Sequence, residues 1–115
     1  MRFAFLVLVL LMTLSSCKRE VKAPERLLDK TGMVDVLIDI HLLEAKLDAL
    51  SVDKDSSRVL YRAYEQQIFE KHGISPELYQ ESYQWHFNHL HSLNDIYAIV
   101  VDSLMLRQQT KQLER

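Results

Sequence analysis

The chain has 115 residues, 14 Lys and Arg against 16 Asp and Glu, two glycines, two prolines and one cysteine. That length suits one domain, and the mild negative balance leaves no electrostatic footprint for nucleic acid. So few turn residues argue against a sheet-rich fold, which needs them at every hairpin.

Met1-Arg2 is a short positive start, and Phe3 to Leu14 is an unbroken apolar run apart from Thr13. A helix needs about 20 apolar residues to span a bilayer, so the run is short for a permanent span and fits the core of a secretory signal. Leu14-Ser15-Ser16-Cys17 follows directly. Leu, two small residues and Cys form a lipobox, which predicts cleavage between Ser16 and Cys17 and acylation of the Cys17 thiol and amine. The expected cofactor inventory is therefore empty apart from covalent diacylglycerol and an N-linked acyl chain, such as palmitate, on Cys17. Two chains already hold a protein stably on a bilayer, at ~0.8 kcal/mol per buried CH₂. Cys17 is the sole cysteine, so no disulfide and no thiol nucleophile is expected elsewhere. Lys18 at the second mature position, with no Asp and no acidic run, favours the periplasmic face of the outer membrane. Cleavage removes Arg2 and no acid, leaving 13 basic against 16 acidic residues.

The expected organisation is a signal peptide over 1–16, a lipidated tether over 17–23 and a helical domain over 24–115. Pro24 opens a turn carrying Leu27 and Leu28. Asp29 or Thr31 is placed to cap a helix from about 32 or 33 to 50. In it Met33, Val36, Leu37, Ile40, Leu43, Leu47 and Leu50 make one apolar face, while Val34, Ile38, Leu42, Ala45 and Ala49 make a second. A helix apolar on two sides predicts a central element. After a polar connection, Asp55, Ser56 or Ser57 is expected to cap a second helix over 57–72. Its core stripe is Leu60 or Tyr61, Tyr64 and Ile68, with Phe69 alongside, and Gly73 ends it. Ser75-Pro76-Glu77 restarts the chain with a cap, a first-turn proline and an acid at the positive end of the helix dipole. From 76 to 112 the stripe Tyr79, Tyr83, His86, Leu90, Leu93, Tyr97, Val100 and Leu104 predicts one helix. At ~1.5 Å per residue it would outrun a small domain, and a bend or break is expected near 88–92. The polar end, 107–115, is expected to fray. The fold class is all-α, a small bundle of three to four helices behind a cleaved lipoprotein signal peptide.

Several pieces of this pattern occur together: Pro24 with Leu27-Leu28, the run Met33 to His41 with Glu44-Ala45, Gly73-Ile74-Ser75, Ser82-Tyr83 with Trp85, and Ile96-Tyr97 with Val100 and Leu104. Asp39-Ile40-His41 with Glu44-Ala45 is the most specific of them. The chain thereby resembles the domain of unknown function 4296 family of small bacterial lipoproteins over nearly all of its mature length. That family often carries a proline after the aromatic pair, which residues 88–92 lack. The resemblance implies a helical fold and lipidation and assigns no activity.

Two places carry residue types that do chemistry. His41, Glu44 and Asp48 share a polar strip, and Glu and His at i, i+3 spacing ligate metals in helical bundles when other helices add ligands; Glu65 and Glu70 are the candidates to add them. Trp85 to His91 is rich in aromatics and histidine, with His86 and His89 at i, i+3 spacing, but zinc needs three or four ligands. A satisfied polar seam is the expected state of both places, with Trp85 and Phe87 in the core. Tyr61, Tyr64, Tyr79, Tyr83 and Tyr97 are expected at core edges. No phosphate loop, nucleophile elbow or small-molecule substrate signature is present. The expected function is a membrane-anchored periplasmic subunit that contacts a protein partner and is not an enzyme. The alternatives are a metal-binding or catalytic domain using His41 and Glu44 or His86 and His89, and a carrier with an apolar cavity.

Overall fold

A computed structural model describes residues 1–4, 7 and 20–115 of the chain. Ser16 and Cys17, where cleavage and lipidation are expected, lie outside the described residues. From Glu20 onward the chain folds into four helices: α1 Lys30–Ala49, α2 Lys54–His72, α3 Pro76–Phe87 and α4 Leu90–Leu113. Among the described residues there is no strand, and no helix is long and apolar enough to cross a membrane. The fold is all-α, as the sequence predicts.

α1 is the central element. Its first turn is fixed by Asp29, whose carboxylate accepts from the Gly32 N–H at 2.8 Å; the helix therefore begins two residues before the expected Gly32. One side of α1 packs Met33, Val34, Leu37 and Ile38 against Ile96 and Val100 of α4. Another packs Val36 and Ile40 against Phe69 of α2. Both sides of α1 are covered, but Met33 and Leu37, expected beside Val36 and Ile40, pack with Val34 and Ile38, and the second face is covered only as far as Leu42. Ala45, Ala49 and Leu50 are exposed.

α2 starts at Lys54, three residues earlier than expected. Asp53, and not Asp55, Ser56 or Ser57, is its cap: one carboxylate oxygen accepts from the Asp55 and Ser56 N–H groups at 3.0 and 2.9 Å. Asp55 then falls in the first turn, where an acid faces the positive end of the helix dipole. Of the expected core stripe, Phe69 is buried, Leu60, Tyr61 and Ile68 are half-buried, and Tyr64 is exposed. The reason is geometric: α2 meets only α1 over most of its length, so a single ridge is covered. Gly73 ends the helix with φ +64°, a left-handed conformation open to glycine at no steric penalty.

Ser75 caps α3, accepting from the Leu78 N–H at 3.1 Å, and Pro76 occupies the first turn. The expected interruption falls at Asn88 and His89, without a proline. The His89 N–H turns to the carbonyl of His86 at 3.0 Å. The Trp85 carbonyl, which a continuous helix would bond to that N–H, instead accepts from the His89 ring Nδ1–H at 2.7 Å. A side chain thus replaces the backbone donor and closes the helix end. Beyond the break most of the expected stripe still faces inward: Val100 is buried, and Tyr97 and Leu104 pack against the core. Ser92 and Ile96 are buried beside them, while Leu90, expected in the core, is 67 % exposed. Phe87, also expected in the core, is 51 % exposed. The polar end beyond Arg107 stays helical to Leu113 and is solvated.

Candidate functional site

Three polar clusters lie between the helices, and they differ in how fully their hydrogen bonds are met. The first joins the segment before α1 to α3 and α4. Ser82 and His86, one turn apart on α3, are both fully buried. Ser82 Oγ accepts from the Leu28 N–H at 2.9 Å and donates to the Leu78 carbonyl at 2.6 Å. His86 Nε2–H donates to the Leu28 carbonyl at 2.8 Å, and Nδ1 meets the hydroxyl of buried Ser92 at 2.7 Å. Both backbone polar groups of Leu28 are thereby satisfied by α3. The buried side-chain atoms of this clasp all have partners, and its chemistry is structural.

The second cluster pins the end of α2 to α1. Asp39, 18 % exposed, accepts from Lys71 at 2.8 Å and from His72 Nε2 at 2.7 Å. Partial burial pushes the Asp39 carboxyl up, but hydrogen bonds and charge from Lys71 and His72 outweigh it, and the net shift is downward.

The third cluster is open. α1 supplies His41 and Glu44, α2 Tyr61 and Glu65, α3 Tyr79 and Tyr83, and α4 Tyr97. Glu44 is exposed and the other six are half-buried. His41 Nδ1 and Glu44 Oε2 are 2.8 Å apart, and the His41 ring lies 5.9 Å from that of Tyr97. The Tyr83 and Tyr97 hydroxyls approach to 3.5 Å. Along α3 the rings run from Tyr79 to Tyr83 at 6.1 Å and on to Phe87 at 6.4 Å, while Tyr79 meets Phe69 of α2 at 5.1 Å. His41 Nε2 is buried and bonds nothing among the described residues. An orphaned buried polar atom of this kind costs about 1–3 kcal/mol, so packing alone gives no reason for it.

The electrostatics of the open cluster follow from its carboxylates. Burial and then the neighbouring Glu65 carboxylate push the Tyr61 phenol up to about 12. Burial raises Tyr79 and Tyr97 as well, and the Glu44 charge adds to the rise in all three. Glu44 is therefore within electrostatic reach of tyrosines on three helices. The phenols are held as neutral O–H groups, able to donate or accept. Beside the cluster, Glu44, Asp48, Lys54, Arg58 and Tyr61 line a hollow of about 510 Å³ at the α1–α2 connection.

The residues singled out in the sequence separate cleanly. His41 and Glu44 meet in the open cluster and are joined by Glu65, whereas Glu70 accepts from Gln66 at 3.2 Å on the surface of α2. His86 and His89 do not form a helical pair: His86 sits in the last turn of α3, in the clasp, while His89 lies in the break, stacked on Trp85 with centroids 3.9 Å apart. Among the described residues, no three His, Cys, Asp or Glu side chains are grouped to hold a metal ion. The sequence places each tyrosine at a core edge by itself; their convergence depends on how four helices are set around one another and leaves no signal in the spacing. A separate surface groove of about 770 Å³ between α1 and α2, lined by Leu42, Leu43, Leu50, Tyr64 and Ile68 among others, lies near Asp39.

No curated protein and no solved structure matches the chain. The profile of one family does, from the turn at Pro24 through most of α4. Matched over residues 24–110, the chain belongs to the family described as Domain of unknown function (DUF4296).

Proposed function

We propose that the chain is a lipid-anchored binding subunit of the bacterial cell envelope, processed before Cys17 and held at the periplasmic face of the outer membrane. Its helical body recognises a protein partner through the open tyrosine cluster and does no chemistry of its own. The observation that carries the binding role is the contrast in satisfaction between clusters: the clasp closes every bond, while the tyrosine cluster leaves half-buried aromatics and carboxylates around a buried imidazole nitrogen that has no partner among the described residues. Tyrosine is favoured at binding hot spots because it offers a rigid apolar ring and a polar tip.

The lipobox at Leu14 to Cys17 supports the anchor, and the clasp gives the anchor a mechanical consequence. Leu28 is fixed to α3, and Glu20 is paired with Lys30, which also holds Asp95 at 2.7 Å. Pro24 lies seven Cα steps from Cys17, a reach of at most ~25 Å. The tyrosine cluster then works close to the bilayer, on a partner that is itself at the membrane.

Two measurements test this. Mass spectrometry of the native protein is expected to find an acylated amino-terminal Cys17; an unmodified Cys17 or a retained leader removes the anchor. A photo-crosslinking residue at Tyr61 is expected to capture one stoichiometric protein in cells, and the same residue at exposed Gln67 is not. Equal capture at both positions, or none at either, removes the binding role.

A further inference from the structure

We propose that the open tyrosine cluster receives a single alkylammonium group, the side chain of a lysine on the partner polypeptide. This rests on the binding role above and adds the chemistry of what enters.

The cluster brings two carboxylates to one aromatic surface, and among the described residues neither is ion-paired to a lysine or arginine, although Lys54 and Arg58 share with Glu44 and Tyr61 the hollow beside it. Glu44 has the His41 ring as its close partner. Among the described residues Glu65 takes part in no ion pair, although its charge acts on both Tyr61 and Tyr79. Around the carboxylates stand the rings of Tyr61, Tyr79, Tyr83 and Tyr97 and the unpartnered Nε2 of His41. An anion would be repelled by Glu44 and Glu65, and a neutral ligand would leave both charges unanswered. A metal ion would lack a grouped set of three ligands. An ammonium group suits what is present. Its three N–H donors match carboxylate and phenol oxygens. Its charge is attracted to aromatic faces within about 6 Å, and its methylene stem covers apolar ring surface. Half-burial of the rings keeps some water away and strengthens the attraction.

The surroundings limit the site to one such group. Lys54 and Arg58 line the adjoining hollow, together with Asp48 and Ser51. A second positive charge approaching from that side meets two cations. The opening accepts one lysine and disfavours a polybasic segment.

The test uses the full chain in detergent and a blocked single residue, Nα-acetyl-lysine N-methylamide, followed by NMR of the Tyr61 and Tyr97 rings. The expected result is saturable binding that disappears when the probe is also acetylated on its side-chain nitrogen. Glu44→Gln and Glu65→Gln are each expected to weaken it by roughly fivefold, with helicity unchanged by circular dichroism; should one of them perturb the fold, the other reads the same effect. Asp102→Asn, on the exposed side of α4, removes one negative charge elsewhere and is expected to leave binding as it was. Absence of saturable binding, equal binding of the acetylated probe, or equal weakening by Asp102→Asn overturns the proposal. The outcome is separable from that of the binding role. A partner captured at Tyr61 while the lysine probe stays silent leaves the binding role standing and removes the ammonium. A probe that binds while nothing is captured removes the polypeptide source.

Discussion

The clasp at Ser82, His86 and Ser92, on α3 and α4, and the open cluster at His41, Glu44 and the tyrosines, spread over four helices, each hold a histidine among polar side chains, yet they are physically opposite. In the clasp each polar atom is buried and bonded, two of them to the backbone of Leu28. In the open cluster an imidazole nitrogen is orphaned, one hydroxyl contact is stretched to 3.5 Å, and Glu44 stands half in water. A histidine is thus a structural bolt in one place and part of a receptive surface in the other. Bond satisfaction separates the two roles where residue identity does not.

The comparison can be broken by mutation. His86→Leu keeps most of the volume but strips the Leu28 carbonyl and the Ser92 hydroxyl of their partner; the expected loss of stability is about 3 kcal/mol, read by urea denaturation. A loss under about 1 kcal/mol would mean that the clasp does not hold the tether. Ser82→Ala orphans the Leu28 N–H and is expected to lower stability by about 1–2 kcal/mol, with faster hydrogen exchange at Leu28 than at Ile96. In the open cluster, His41→Leu removes an unsatisfied nitrogen along with a partly exposed hydrogen bond to Glu44. It is expected to change stability by less than about 1 kcal/mol while abolishing crosslinking through Tyr61. A large destabilisation there would make the cluster structural after all.

Titration sharpens the same contrast. Tyr61, Tyr79 and Tyr97 ionise later when folded than when unfolded. Their contribution to stability is therefore complete below about pH 10, the unfolded phenol value, and is lost as pH rises toward and through the folded values. Tyrosinate absorbance should show part of the chain's phenol population titrating late, and Tyr61→Phe should remove part of the alkaline loss. Asp39 has the opposite sign. Its carboxyl is lowered by Lys71 and His72 against the pull of burial, so its contribution is present above about pH 4 and is lost as pH falls through the folded value. Asp39→Asn is the smallest effect expected, within about 1 kcal/mol at neutral pH, and should flatten the acid limb of the stability profile.

Much of the fold was written locally. Asp29, Gly73 and Ser75-Pro76 act within a turn of their own position, so the sequence alone determined where α1 starts to within two residues, where α2 ends and where α3 begins. The alternation of apolar residues from Met33 to Leu47 likewise determined that α1 is central, because a helix apolar on two sides has to be covered twice. Cap choice at α2 was less legible, since Asp53, Asp55, Ser56 and Ser57 all suit the role and only backbone geometry selects among them. The stripe on α4 was legible in part: Tyr97, Val100 and Leu104 face the core as their spacing predicts, whereas Leu90, beside the break at His89, does not. The open cluster is the furthest from the sequence. His41 and Glu44 stand three residues apart and were legible as a pair, but Glu65, Tyr79, Tyr83 and Tyr97 join them only through the packing of four helices. Short-range hydrogen bonding and apolar spacing are properties of neighbouring residues and can be read along the chain. The meeting of side chains more than fifty residues apart depends on helix phase and packing angle, which only the folded molecule decides.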